Sequence, residues 1–468
     1  MNPMKKPLPA YILVTLAAFI LIAIACNKTS SSSSTSSSNP NNIPAEETVT
    51  ASLQGRVVDQ NGVPVEGAAV SSGAASATTD INGIFSFSAI SMSSRFGYVK
   101  AVKSGYVTGS RSIITNGGAI NYVTIQLITQ SQTGFFPALT GGFADIQPTD
   151  TVKFGDSAIV SASSNTLYTG EVLVSSTYLD PTDSLSFTKM PGDLRGIGSN
   201  GYETGLQSYG LLDVVMTDAS GNAVQVAPGK TATVTWVIPT LLQTMAPATI
   251  PLWYFNDTTG RWIQQGTAIR NGNTYIGQVA HFTWWTPAQA ISTVNFSVTF
   301  KDQNGNPLAF AYYFFQNSTT GLYSPGAYTN SSGYAQGLLL KSTSLTLKVV
   351  SQCGAFLGGA NVGPTLSDEA LGTLTVNTIG GLLTLTGTVV NCSDSLVDSG
   401  YVSTYIDGLN YKAPVTNGAW SLAVNRCYLQ PITVAITPVD LTTQLQGNPV
   451  SLQVSVGKDT VSQLTACQ

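Results

Sequence analysis

At 468 residues the chain has room for about three to five domains of ordinary size. Charged residues are only 9% of it, against roughly 25% in soluble domains, and 45 glycines and 22 prolines speak against helical bundles. A net charge of −4 without a basic stretch beyond the N-terminus gives no ground for a nucleic-acid partner, and one histidine removes most metal- and triad-based hydrolysis.

In chain order, Met1 to Ala25 reads as a secretory signal, with Lys5 and Lys6 ahead of a nearly continuous apolar run from Tyr11 to Ile24. Ala23-Ile24-Ala25-Cys26 resembles a bacterial lipobox, with Ala23 where Leu is usual. That resemblance implies that Cys26 is lipidated and opens the mature chain. The alternative is an uncleaved anchor, since the apolar run is nearly long enough to span a bilayer. The next residues favour the lipid: 27–51 are a Ser- and Asn-rich tether that cannot bury enough apolar area to offset its ordering entropy. The expected location is the cell envelope, as an outer-membrane lipoprotein held through its N-terminal lipid. The tether lacks the acidic run that resembles a surface-export signal in Bacteroidetes lipoproteins, so the periplasmic or surface face stays open.

Residues 52–128 form the first expected module. Leu53 to Asp59, Val65 to Ser71 and Ile84 to Phe87 read as short strands separated by the turn clusters Asp59–Pro64 and Thr79–Gly83. The patterns L-x-G-x-V-x-D, N-G-x-P and T-D-x-x-G-x-F resemble the carboxypeptidase regulatory-like domain, a small prealbumin-like β-sandwich that usually carries no catalytic residue. The same turns return at Asp302–Pro307 and Thr329–Gly333, and the opening strand returns at Leu385–Asn391 followed by Thr416–Ser421. Residues 293–378 and 380–468, meeting near Ile379, are therefore read as two further sandwich repeats.

Between them, residues 133–290 form a larger β-rich block. Its strands are readable at 158–160, 171–174, 212–216 and 232–238, with a hairpin from Pro251 to Ile263. Ala227–Ala232, Ile250–Phe255, Trp262 and Val279–Trp285 resemble the β-rich ectodomain of cartilage intermediate layer proteins, which implies an extracellular structural role. The expected fold is thus all-β, several consecutive β-sandwich modules of prealbumin-like or immunoglobulin-like type on a flexible N-terminal tether.

The residues give little to catalysis. His281 stands alone where a zinc peptidase needs two histidines, and no G-x-S-x-G elbow accompanies it. Gly155-Asp156-Ser157 matches only the start of one esterase pattern. Beyond the tether the glutamates are Glu66, Glu171, Glu203 and Glu369, a thin supply for paired-carboxylate chemistry. Asp59, Asn61, Asp80 and Asn82 offer oxygens to calcium but no complete ligand loop, and a turn role is their ordinary one. No catalytic residue, metal site or cofactor is expected.

Two sets of residues remain as candidates. Trp253, Trp262, Trp284 and Trp285, with the later run Tyr312 to Phe315, are able to stack on sugar rings if exposed, and one of Trp284 and Trp285 should face outward if the other is buried. Cys353, Cys392, Cys427 and Cys467 are an even number in an exported chain and are expected to form two disulfides, with Cys392–Cys427 preferred among the pairings. The functional expectation is a non-catalytic structural, adhesive or scaffolding lipoprotein whose partners are the membrane and glycan or envelope proteins. A carbohydrate-binding accessory to an outer-membrane uptake system is the alternative, and a hydrolase ranks third.

Overall fold

The computed structural model describes residues 47–146, 150–351, 354–378, 380–407 and 409–468. The signal segment, Cys26, most of the tether, Cys353 and Ile379 lie outside them. The described elements are strands apart from two short 3-10 turns, so the chain is all-β as its composition implies. Among the described residues no helix is long and apolar enough to cross a membrane.

The first sandwich is built from β1 (Thr48–Val58), β2 (Ala69–Ser72), β3 (Ala75–Thr78), β4 (Ile84–Ser93), β5 (Gly97–Val102), β6 (Gly109–Ile113) and β7 (Ile120–Gln126). β1 starts inside the stretch that composition alone assigns to the tether, because alternation rather than Ser content decides where a strand begins: Ala51, Leu53 and Val57 are buried. One sheet has the order β4-β1-β7 and the other β3-β2-β5-β6, and Leu53, Val70, Phe85, Val99 and Ile125 meet between them.

The repeated turns read in the sequence recur atom for atom. Asp59 Oδ1 accepts the N–H groups of Asn61 and Val63 at 2.8 and 2.9 Å. Asp302 Oδ1 does the same for Asn304 and Asn306 at 2.9 and 2.8 Å, and Asn391 Oδ1 for Ser393 and Ser395 at 2.9 and 3.2 Å. These are Asx turns, in which the side chain replaces a backbone partner. The second turn repeats as well. Asp80 Oδ1 accepts from Asn82 and Ile84, and Asn330 Oδ1 from Ser332 and Tyr334. Gly83 and Gly333 follow at φ +71° and +72°, where a Cβ would collide with the carbonyl oxygens of Val57 and Phe300 respectively. Only glycine meets both demands.

Topology repeats with the turns. β1 runs antiparallel to β4 and parallel to β7. In the second sandwich β8 (Thr293–Lys301) pairs antiparallel with β11 (Tyr334–Leu340) and parallel with β14 (Glu369–Thr375). The facing sheet there contains β9 (Tyr312–Asn317), β10 (Ala327–Tyr328), β12 (Leu345–Val350) and β13 (Phe356–Val362), in the order β10-β9-β12-β13. In the last sandwich Leu382–Asn391 pairs antiparallel with Ala419–Asn425 and parallel with Gly457–Thr460 and Leu464–Ala466.

The middle block is organised on a 12-stranded sheet. Its two faces carry separate cores. Leu212, Leu252 and Trp285 turn to one, which also holds Phe136, Val174 and Trp236. Their chain neighbours Leu211, Trp253 and Trp284 turn to the other, together with Phe255 and Trp262. This alternation is the period-2 geometry of a strand. The second face is covered by groups from outside the sheet: Val107, Tyr98 and Ile128 of the first sandwich and its connection, Phe187 of a 3-10 turn with Met190 just beyond it, and Tyr323 of the second sandwich.

Polar contacts line that junction. Arg195, 5% exposed, donates to Asp193 Oδ2 at 2.7 Å and to the Arg95 carbonyl at 2.7 Å, and its guanidinium lies 3.9 Å from the Phe96 ring centre. Ser112 Oγ donates to the Gly260 carbonyl, and Gly192 N–H is held by Ser110. At a separate contact, Tyr401 of the last sandwich donates to Asp80 Oδ2 of the first at 3.2 Å.

Candidate functional site

The aromatic candidates are not a sugar platform. Trp253, Trp262, Trp284 and Trp285 are all buried, at most 5% exposed, and the expectation that one of Trp284 and Trp285 faces outward is corrected. The reason is the double cover of the middle sheet: each ring does point to its own face, but both faces are packed. Three of the indoles also spend their N–H on main-chain carbonyls, Trp253 on Ala288 at 2.9 Å, Trp262 on Asp193 at 2.8 Å and Trp285 on His281 at 2.9 Å. In the later run, Tyr313 and Phe315 belong to the core of the second sandwich, while Tyr312 is half-buried.

His281 packs edge-on against Tyr254 at 4.7 Å and tilted against Trp285 at 5.1 Å, and its Nε2 pairs with Gln265 Oε1 at 3.2 Å. Trp284 has turned to the opposite face. Burial lowers the imidazole pKa, which keeps the ring neutral. Asp59 and Asp80 serve their turns, and no cluster of metal-ligating side chains stands among the described residues.

The disulfide preference is also corrected. Cys392 bonds Cys467, not Cys427. Strand register explains it. Asn391 pairs with Ala466 at one end of Leu382–Asn391, so the next residues, Cys392 and Cys467, emerge side by side. Asn425 pairs with Leu382 at the other end, which carries Cys427 away from Cys392. Cys427 is buried and itself disulfide-bonded.

What the structure offers instead is a cavity of about 530 Å³ at the junction of the first sandwich, the middle block and the second sandwich. That is within the ~300–1,000 Å³ usual for small-molecule sites. Its origin is topological. The edge strands β6 and β7 leave the first sandwich open on one side, and β10 and β11 leave the second open on one side. These two open edges face each other. Gln336 Nε2 donates to Asn116 Oδ1 at 3.2 Å, Ser331 N–H to the Ile120 carbonyl at 3.1 Å, and Thr124 Oγ1 to the Tyr328 hydroxyl oxygen at 3.3 Å. The Tyr122 ring meets Tyr328 edge-on at 5.1 Å. Two sandwich mouths closed on one another leave space that neither core fills.

Arg111 on β6 lines this space, a residue that sequence reasoning misses. Its Nη1 donates to the carbonyls of Ser110 at 2.8 Å and Met190 at 2.6 Å, and its Nη2 donates to the Thr188 carbonyl. Desolvation pushes its pKa down, while the Tyr312 and Tyr328 hydroxyls oppose that shift. Burial in turn raises Tyr312 to about 12, so its hydroxyl keeps its proton at neutral pH. The sequence signal is an Arg in a Ser-rich strand, G-S-R-S-I at 109–113, where a charge would ordinarily be read as solvated.

Asp213 escapes sequence reasoning too. It is 6% exposed on a strand of the middle sheet, between Leu212 and Val214. Burial alone pushes its carboxyl up to about 7. The folded form therefore holds a proton that the unfolded chain releases near pH 4, so stability is full below pH 4 and falls as pH rises towards 7. Each pH unit in that window costs about 1.4 kcal/mol. Asp213→Asn is expected to leave the urea midpoint at pH 4 unchanged and to raise it at pH 8. An equal shift at both pH values would show that the carboxyl titrates normally.

No family model matches this chain. Over 110 residues it is 32% identical to cartilage intermediate layer protein 2 of Homo sapiens, a match that spans 23% of this chain and 9% of that protein. The resemblance to cartilage intermediate layer proteins thus holds for part of the chain. Among solved structures it is similar to the Bacillus anthracis TIE protein (9% identity, 90% of this chain and 50% of that one, TM-score 0.18). It is also similar to the shaft pilin SpaA from Lactobacillus rhamnosus GG (8% identity, 38% of this chain and 98% of that one, TM-score 0.22).

Proposed function

We propose that this chain is a non-catalytic cell-envelope lipoprotein, held at the outer membrane through Cys26, whose docked β-sandwiches serve as a structural or adhesive scaffold. The observation that carries this reading is the second core of the middle sheet. Trp253, Trp262 and Trp284 are buried there by Tyr98, Val107 and Tyr323 of the adjoining segments, so that neighbouring sandwiches complete one another's cores. Independent modules on a string keep their aromatic faces to themselves. A series that shares them acts as one body, which suits holding partners at a distance from a membrane. The partial likeness to a protein named for a cartilage layer supports the same reading, as does a first module resembling carboxypeptidase regulatory-like domains.

The test uses the mature chain made without its lipid, by Cys26→Ala, on a glycan array and on a hydrolase substrate panel. No turnover is expected on any substrate. Turnover that disappears on changing one Asp or Glu would overturn the non-catalytic reading. In cells the same Cys26→Ala variant is expected to leave the membrane fraction, whereas retention after alkaline extraction would point to an uncleaved anchor.

A further inference from the structure

We propose that the cavity between the first and second sandwiches binds a single-tailed organic carboxylate, with its head on Arg111 and its tail along the apolar walls. Three observations carry this. First, the charge in the cavity does not balance. The ionisable acid and bases lining it are Asp193, Arg111 and Arg195, and Asp193 is already paired with Arg195 at 2.7 Å. Arg111 is left as a cation whose described partners are main-chain carbonyls only. Arg111 is half-buried, a charge so placed without a counter-ion is costly, and an anion in the cavity lowers that cost.

Second, the guanidinium is partly spent and partly free. Of its five N–H groups, the three carbonyls of Ser110, Met190 and Thr188 take three. The Nε–H and one Nη2–H remain, and together they make the fork that receives both oxygens of a carboxylate. The carbonyl contacts fix the plane of that fork, because they tie it to the main chain of β6 and of the turn at 188–190.

Third, the remaining wall is chiefly apolar. Phe187, Leu206, Phe296, Leu339 and Leu345 line it, and the hydroxyl of Tyr312 stands near Arg111 as an additional polar group. A bare anion such as phosphate has no use for such walls, and a neutral hydrocarbon has no use for the cation. A carboxylate bearing one aliphatic tail uses both.

Decanoate is the probe, with decanol and inorganic phosphate as controls, titrated calorimetrically into the unlipidated mature chain. One decanoate per chain is expected, with decanol and phosphate each at least about tenfold weaker. Arg111→Gln should erase the preference for decanoate over decanol. Ala327→Leu, which fills the cavity from β10, should weaken decanoate at least about tenfold while the melting temperature holds. If Arg111→Gln does not fold, the decanoate-to-decanol ratio on the unaltered protein and the Ala327→Leu variant decide. Absence of decanoate binding, equal binding of decanol, binding of phosphate as tight as decanoate, or indifference to Ala327→Leu would each overturn the proposal.

Discussion

Replacing Asp407 by Asn is expected to cost the last sandwich about 3–5 kcal/mol, because it strands a guanidinium that has no access to water. The side chains of Arg426 and Asp407 are 0% and 2% exposed. Arg426 Nε and Nη2 donate to the two Asp407 oxygens at 2.8 and 3.2 Å, and Cys427 N–H donates to Oδ2 at 2.7 Å. Asp407 itself sits at φ +48°, a conformation that Asp and Asn tolerate better than other side chains. Asn therefore removes the charge while leaving the backbone at ease, which Ala would not. If the cost is the stranded cation, the double variant Asp407→Asn/Arg426→Met should recover part of it. Urea titration followed by the fluorescence of Trp420, in the core of this sandwich, reads the change. A single-variant loss below about 1 kcal/mol would show that the pair contributes no more than an exposed one.

Opening the Cys392–Cys467 bond is expected to be as severe. The bond closes a loop with a sequence separation of 75. Chain-entropy arithmetic for a loop of that length gives about 4.5 kcal/mol at room temperature. The loss has a definite place to appear. The parallel partner strand Leu464–Ala466 is short, and Leu464 and Ala466 are fully buried beside Val389. Cys392→Ser should therefore loosen the C-terminal strand first, read as faster amide hydrogen exchange at Leu464–Ala466 than in the unaltered chain. Unchanged exchange there, with unchanged melting, would mean that packing alone holds the terminus.

How far the sequence carries depends on what kind of fact is asked of it. The Asx turns at Asp59, Asp302 and Asn391 are readable because a turn is a local event, decided by residues within a few positions. The tryptophans are easily misread because burial of a sheet's second face is decided by another part of the chain. A signal is nonetheless there. Leu252-Trp253-Tyr254-Phe255 is apolar without alternation, and such a run belongs to a strand covered on both sides. Disulfide choice fails for a related reason: spacing favours Cys427, but the parallel pairing of the C-terminal strand with Leu382–Asn391 is a non-local event. Arg111 stands out only as a charge in a Ser-rich strand, which reads as solvated, and Arg426 carries no local mark. Their roles depend on groups distant in the chain, the carbonyls of Thr188 and Met190 for Arg111 and the Asp407 carboxylate for Arg426, and strand periodicity does not encode such meetings.

Heating the unlipidated mature chain in a calorimeter tests the docked assembly most directly. With the second core of the middle sheet shared between segments, the first sandwich, the middle block and the second sandwich should unfold in one cooperative transition, with calorimetric and van't Hoff enthalpies in agreement for that unit. Arg195→Met, which removes the cation between Asp193, the Arg95 carbonyl and the Phe96 ring, should split the transition by releasing the first sandwich at lower temperature. A first sandwich that already melts separately in the unaltered chain, at a temperature Arg195→Met does not move, would contradict it.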